Sequence, residues 1–323
     1  MIQQRFDELR LTGALPSPSA IGLRILDLTQ DENYDQADLI QTIMADPALS
    51  GRVIQMANSA LHAGAEPVET VREAAVRMGS KALRGLALGF SLVERGDGRL
   101  LGGLDHHSFW SRSLATAVAT SILAYECRAW APAEAFTCGL LADIGKLAFA
   151  SLYPQKYQRF MSLPLATFDW RLAKLESCAF GVNHAEVASL MMEDWGFSRA
   201  LQQAVLHCID RPSGPMPRGA EAGSEALMRV LRGGRALADV LTIERDTGEQ
   251  SWLPAFFRLE QVAEELGMPV EQLHRLGNQI QPAWLEWGKL LGIPSGQGID
   301  FVETARELDS AGVAEVTDLA YAE

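Results

Sequence analysis

The chain has 323 residues, of which 48% are apolar and 21% charged, and carries a formal charge of −13. That length sustains one large or two medium cores, and the composition excludes a disordered chain. The negative balance argues against broad electrostatic capture of nucleic acid or anionic lipid.

Residues 1–100 read as a series of short helices with no titratable cluster. Leu15-Pro-Ser-Pro18 is a stiff entry, and Ile21, Leu23, Ile25, Leu26 and Leu28 supply an apolar face. Asp46-Pro47 starts a helix because the carboxylate can cap free amides and proline costs nothing at the first helical position. That helix runs through Leu49, Val53 and Met56 to Asn58-Ser59. Thr70-Val-Arg-Glu73 is a capping box for the next one, and Ser80 to Leu92 is a further apolar helix. Gly96 to Gly103 is the clearest break and the expected domain boundary.

Beyond it, Asp105-His-His107 reads as a surface or capping element, and a long apolar helix is expected from Ser113 to Ala129. Pro132 opens a helix expected to carry Asp143 inside the apolar run Phe136 to Leu152. Asn183-His-Ala-Glu186 is another capping box, and the following helix, Arg199 to Cys208, ends in His207-Cys208. Pro212 to Gly223 reads as a loop and a candidate lid. Three more helices are expected at Glu225–Leu241, Leu253–Leu266 and Val270–Leu291, with Trp284 and Trp287 forming a packed aromatic patch on the last. Residues 295–323 read as a loosely held acidic tail. Four scattered cysteines without a CxxC pair point to buried thiols in a reducing cytoplasm. No apolar signal segment opens the chain, and no run is expected to reach the ~20 residues that cross a bilayer.

Chemistry-bearing residues are few. An ionised Asp143 on an apolar face requires a cation, a metal or donor groups, and Lys146 lies three residues on. His184 and His207 are the distant imidazoles that could join it in a metal site, with Glu176, Glu186 or Asp210 as helpers. The bland alternatives are a carboxylate held by Lys146 or backbone amides, and histidines in ordinary polar contacts. No phosphate-binding glycine loop, dinucleotide fingerprint or local nucleophile arrangement is present in the sequence.

The combined motifs resemble the HDOD family, the HD-related output domains of bacterial signalling proteins. The resemblance rests on Leu15-Pro-Ser-Pro-Ser-Ala20, Asp46-Pro-Ala-Leu-Ser50, Val53-Ile-Gln-Met-Ala-Asn-Ser-Ala60 and Val71 to Gly79. Phe109-Trp-Ser-Arg-Ser-Leu-Ala-Thr-Ala117, Gly139-Leu-Leu-Ala-Asp-Ile-Gly-Lys146, Asn183-His-Ala-Glu-Val-Ala188 and His207-Cys208 extend it. It implies an all-α fold in which an N-terminal helical part packs on a part similar to HD-type metal phosphohydrolases, including cyclic-di-GMP phosphodiesterases. It also implies a degenerate site. Asp143 matches the aspartate of the HD pair and Ala142 stands where its histidine would be. Arg112 takes the position of a catalytic relative's first histidine. His184 matches the histidine after the Gly-x-Asn step, and His207-Cys208 stands for a later His-His pair. A guanidinium at 112 could itself satisfy Asp143.

The organisation expected is an N-terminal subdomain at 1–97, an HD-like domain with C-terminal helices at 98–294, and the tail. The function expected is a non-catalytic cytoplasmic signalling module, without cofactor, that binds a protein partner and admits a small nucleotide in the vestigial pocket. Neither nucleic acid nor membrane is an expected partner. The alternative is a metal-dependent phosphohydrolase or cyclic-nucleotide phosphodiesterase using Asp143, His184 and His207. The groove between the two halves, gated at one end by 212–223, is the candidate partner surface; the alternative is that the halves pack rigidly and the surface lies elsewhere.

Overall fold

The computed structural model describes residues 2–13, 15–30, 34–59, 66–93, 100–163, 169–209, 223–243, 253–296 and 298–310. The fold is all-α, as expected from the sequence. Six helices come first: α1 (Ile2–Leu11), α2 (Ala20–Leu28), α3 (Gln36–Met44), α4 (Pro47–Ala57), α5 (Val71–Met78) and α6 (Ser80–Leu92). A minimal hairpin, β1 (Leu100–Leu101) and β2 (Leu104–Asp105), pairs antiparallel with Leu101 opposite Leu104. Then follow α7 (His106–Glu126), α8 (Pro132–Leu141), α9 (Ile144–Leu152), α10 (Pro154–Met161) and α11 (Asp169–Phe180). The chain continues with α12 (His184–Asp194), α13 (Arg199–His207), α14 (Ser224–Leu241), α15 (Leu253–Leu266), α16 (Val270–Leu291) and α17 (Phe301–Ser310).

The helix starts follow from local chemistry. Asp46 accepts from the amides of Ala48 and Leu49, and Pro47 occupies the first turn. Thr70 with Glu73, and Asn183 with Glu186, form complete reciprocal capping boxes. Such caps contribute about 1 kcal/mol each, and the second one fixes the start of the helix that carries His184. Asp105 caps α7 by accepting from the Ser108 amide, so that helix begins at His106, seven residues before Ser113, and ends at Glu126.

Two long helices, α7 and α14, lie side by side, and α8 packs on both. Close backbone approach places them: a Cβ at Gly234 would stand 2.1 Å from the Thr120 hydroxyl, so only glycine lets α14 come this near to α7. The same holds at Gly145 of α9, where a Cβ would meet the His184 carbonyl oxygen of α12 at 1.9 Å.

Three expectations need correction. The apolar run from Phe136 to Leu152 is two helices, broken at Ala142 and Asp143, because the Asp143 carboxylate is drawn away from the helix to side-chain cations. Taken together, Pro132–Leu152 is long and apolar enough to cross a membrane by length and composition, contrary to the expectation, but it breaks at Ala142–Asp143 and 83% of its qualifying 18-residue window is buried inside the fold. The tail is also not loose throughout. Ile299 and Phe301 are buried, the Phe301 amide donates to Asn278 Oδ1 at 2.8 Å, and its ring lies 6.2 Å from that of Phe256. The candidate lid at 212–222 and residues 96–99 of the Gly96–Gly103 break lie outside the described residues.

The expected aromatic patch is present and spans the two halves. Trp287 packs between Phe90 of α6 and Phe136 of α8, with ring centroids 5.5 and 5.2 Å apart. Trp284 is fully buried and its indole N–H donates to the Ser111 carbonyl at 3.1 Å. Among the described residues the α6–α8 line is therefore filled rather than open as a groove.

Candidate functional site

Five elements deliver charged side chains to one interior point. Arg112 comes from α7, Asp143 and Lys146 from the start of α9, Asp169 from the start of α11, Arg235 and Asp239 from α14, and Arg258 from α15. Arg112 and Asp143 form the expected ion pair, and Arg112 does more. Its Nη2 reaches Asp169 at 3.2 Å and Asp239 at 2.6 Å, and its Nε donates to Asp239 at 3.0 Å. Arg235 donates to Asp143 Oδ1 at 2.9 Å and to Asp169 Oδ2, while Lys146 sits 2.6 Å from Asp169 Oδ1 and 3.3 Å from Asp143 Oδ1. Arg258 holds the second oxygen of Asp239.

All six oxygens of the three carboxylates thus meet a guanidinium or an ammonium. Asp143 and Arg235 are nearly inaccessible, and the Arg112 side chain is 22% exposed. Burial would raise the Asp143 carboxyl, but Arg235, Lys146 and Arg112 outweigh it and hold it below the usual carboxylate range. Asp169 behaves alike: burial opposes ionisation, and Lys146, Arg235 and Arg112 win. Burial also opposes the charge on Arg112, which Asp239, Asp169 and Asp143 more than restore. Each ion is stable here only because the others are.

A second polar unit adjoins the first. His184 and Glu176 are fully buried, and Glu176 Oε2 lies 2.6 Å from His184 Nδ1 while accepting the His184 amide at 2.8 Å. The Tyr157 hydroxyl donates to Glu176 Oε1 at 2.8 Å. His184 Nε2 is buried without a hydrogen-bond partner among the described residues. Burial, and then the Glu176 charge, push the Tyr157 phenol well above its usual range, so it stays a donor.

The other anticipated residues are placed as follows. Ala142 is buried at the α8–α9 break and adds no polar group. Cys208, at the end of α13, lies beside Asp169 and Arg235 in a small cleft, and burial pushes its thiol up to about 11. The His207 carbonyl accepts from Arg232 at 3.0 Å. His207 does not join Asp143 and His184: among the described residues no three His, Cys, Asp or Glu side chains group as a metal cage would require. Glu186 serves its capping box, and Asp210 lies outside the described residues. The donor set does not fit a metal, which needs converging anions and neutral imidazoles, whereas these carboxylates already point at fixed cations.

Asp169, Arg235, Asp239 and Arg258 were not singled out from the sequence as site residues. A signal existed for two of them. Arg235 and Asp239 are four apart, on the face of α14 that also carries Leu231 and Ala238, which takes Arg235 into the core and Asp239 to its edge. Nothing in the sequence marks Arg258 or Asp169 in that way.

A family model for the HDOD domain matches residues 15–210. The chain is similar to a protein of known structure from Shewanella amazonensis SB2B, provisionally named a phosphohydrolase. Identity is 25%, the TM-score is 0.60, and the match covers 90% of this chain and 97% of that one. An HDOD domain protein of unknown function from Geobacter sulfurreducens shares the fold at 20% identity and a TM-score of 0.51, over 97% and 96% of the two chains. An uncharacterized protein of Treponema pallidum (strain Nichols) is 24% identical over 196 residues, 60% of this chain. The chain spans only 37% of that relative's length. With more than half of its length matched by the family model, the chain belongs to the HDOD domain family.

Proposed function

We propose that the protein is a non-catalytic signal-transduction module that acts by binding a protein partner in the cytoplasm. One observation carries the non-catalytic part. The carboxylates that a hydrolytic metal would need are neutralised by Arg112, Lys146, Arg235 and Arg258. A divalent ion entering there would have to displace cations that are themselves buried, against their repulsion. The charge of −13 favours a partner with a basic surface over nucleic acid. The packed α6–α8 seam turns attention from the inter-half groove to the outer helical faces.

The test pairs elemental analysis of the purified protein with a turnover assay on cyclic dinucleotides and simple phosphodiesters. Stoichiometric zinc, iron or manganese, with turnover abolished by Asp143→Ala, would overturn the reading. The expected result is neither. Affinity capture from the native cytoplasm, repeated with charge reversals on the outer helical faces, then locates the partner surface.

The alternative, a metal-dependent phosphohydrolase or cyclic-nucleotide phosphodiesterase, has one specific observation in its favour. A histidine whose Nδ1 meets a buried carboxylate while Nε2 stays unpartnered is oriented as metal-ligating histidines are, and His184 with Glu176 has that form. The same assays decide between the two.

A further inference from the structure

Beside the ion cluster, a cavity of about 50 Å³ opens between the start of α11, the turn that follows α13, and helices α14 and α15. Its lining includes Arg232 and Arg235 from α14, Arg258 and Glu265 from α15, Asp169 from α11, and Cys208. Three guanidiniums facing one small cavity is an unusual outlay in a protein with an overall charge of −13. We propose that this cavity binds a single small oxyanion, of the phosphate class, gripped by Arg232 and Arg258 with Arg235 behind them.

Charge, size and pairing support this independently of the partner-binding reading. The cluster and the cavity rim together hold five cations, Arg112, Lys146, Arg232, Arg235 and Arg258. Four carboxylates oppose them, Asp143, Asp169, Asp239 and Glu265. The positive surplus attracts an anion and repels a divalent cation. A water needs roughly 10–15 Å³, so the space suits the five heavy atoms of a phosphate group but not an attached nucleoside. Planar guanidiniums match such an oxyanion's geometry two bonds at a time.

The pair to be opened is also identifiable. Arg232 to Glu265, at 3.4 Å, is the longest ion pair of the set, and the Glu265 side chain is 21% exposed. Glu265 can turn outward into water when an anion takes its place, whereas Arg235 stays fixed to Asp143 and Asp169. Binding would join α15 to α14 through the ligand. The cavity would then report an anion by tightening α15 against the bundle.

The experiment is titration calorimetry of the full chain with inorganic phosphate, at constant ionic strength balanced with chloride. One saturable site is expected, with Kd about 1 mM or tighter. Arg232→Gln is expected to weaken it at least about tenfold, through loss of a charged hydrogen bond. Glu265→Gln is expected to tighten it several-fold by removing a competing, repelling carboxylate, and Arg229→Gln, on the exposed face of α14, should leave it unchanged. If Arg232→Gln fails to fold, Glu265→Gln decides alone, because mere loss of a structural ion pair would not increase phosphate affinity. Absence of saturation, or weaker binding by Glu265→Gln, overturns the proposal.

Discussion

Arg112→Ala is expected to destabilise the protein by about 3 kcal/mol. The guanidinium touches three carboxylates, but its loss does not strand all of them equally. Asp169 Oδ2 keeps Arg235, and Asp143 Oδ1 keeps Arg235 and Lys146. Asp143 Oδ2 and Asp239 Oδ1 lose the donors they have. A buried acceptor left alone costs about 1–3 kcal/mol. Asp239 lies at the lower end, because its side chain is 21% exposed and draws water. In a domain of this size 1 kcal/mol corresponds to about 2 °C of Tm, so a fall of roughly 6 °C is expected. Scanning calorimetry at pH 7 and one fixed heating rate reads it. Arg112→Lys should fall between, since an ammonium keeps the charge but cannot span three carboxylates. Arg229→Ala, which breaks only an exposed i,i+4 pair with Glu225, should shift Tm by about 1 °C or less. Equal shifts for Arg112→Ala and Arg229→Ala would refute the reasoning, and so would an Arg112→Lys variant as stable as wild type.

Further outcomes follow from the same geometry. The Asp143 carboxyl lies below its usual range, since Arg235, Lys146 and Arg112 outweigh its burial. Its stabilisation is therefore present above an unfolded pKa of about 4 and is lost as pH falls through the lower folded value. Asp143→Asn should trail wild type by a constant margin from about pH 5 to pH 8 and converge with it below about pH 4; urea titrations that show the margin widening in acid would contradict this. Gly145→Ala should cost about 1–3 kcal/mol or more, because its Cβ meets the His184 backbone and not a yielding side chain. Gly51→Ala, which meets nothing within 4 Å on α4, should be neutral or stabilising. In native protein at pH 8, iodoacetamide should modify exposed Cys178 first and spare buried Cys138 and Cys208. Peptide mass spectrometry showing Cys208 labelled early would mean the cleft opens more than its burial allows.

The parts of the fold readable from sequence were those governed by local chemistry. Asp46-Pro47, the Thr70–Glu73 box and the Asn183–Glu186 box announce helix starts because the atoms that meet are within a few residues. The α8–α9 break was hidden for the opposite reason. Apart from Asp143 and Lys146, the apolar periodicity runs unbroken from Phe136 to Leu152, and the partners that hold Asp143 at the break are arginines 31 and 92 residues away. The site divides in the same way. The Arg112–Asp143 pair was readable because two departures from one family pattern compensate each other. Asp169 and Arg258 were not, since each is an ordinary charge in its own neighbourhood and acquires a role only when α11 and α15 are brought against α7 and α14.

A buried ion network is a poor source of stability, since apolar side chains of similar volume often serve as well or better. What it can supply is a unique arrangement. The three-way contact of Arg112 and the grip of Arg235 on Asp143 and Asp169 tie α7, α9, α11 and α14 together, and Arg258 adds α15 through Asp239. A metal ion would impose a comparable constraint with fewer residues, but its hold would depend on supply and on pH. Here the cations are covalent parts of the helices, so the geometry persists whatever ions the surroundings offer. A strong chelator is therefore expected to leave Tm unchanged in wild type, while Arg112→Ala lowers it with or without the chelator. A Tm that falls on chelation and recovers on adding a divalent ion would show that these carboxylates are shared with a metal after all, and the arginines would then be its companions rather than its replacement.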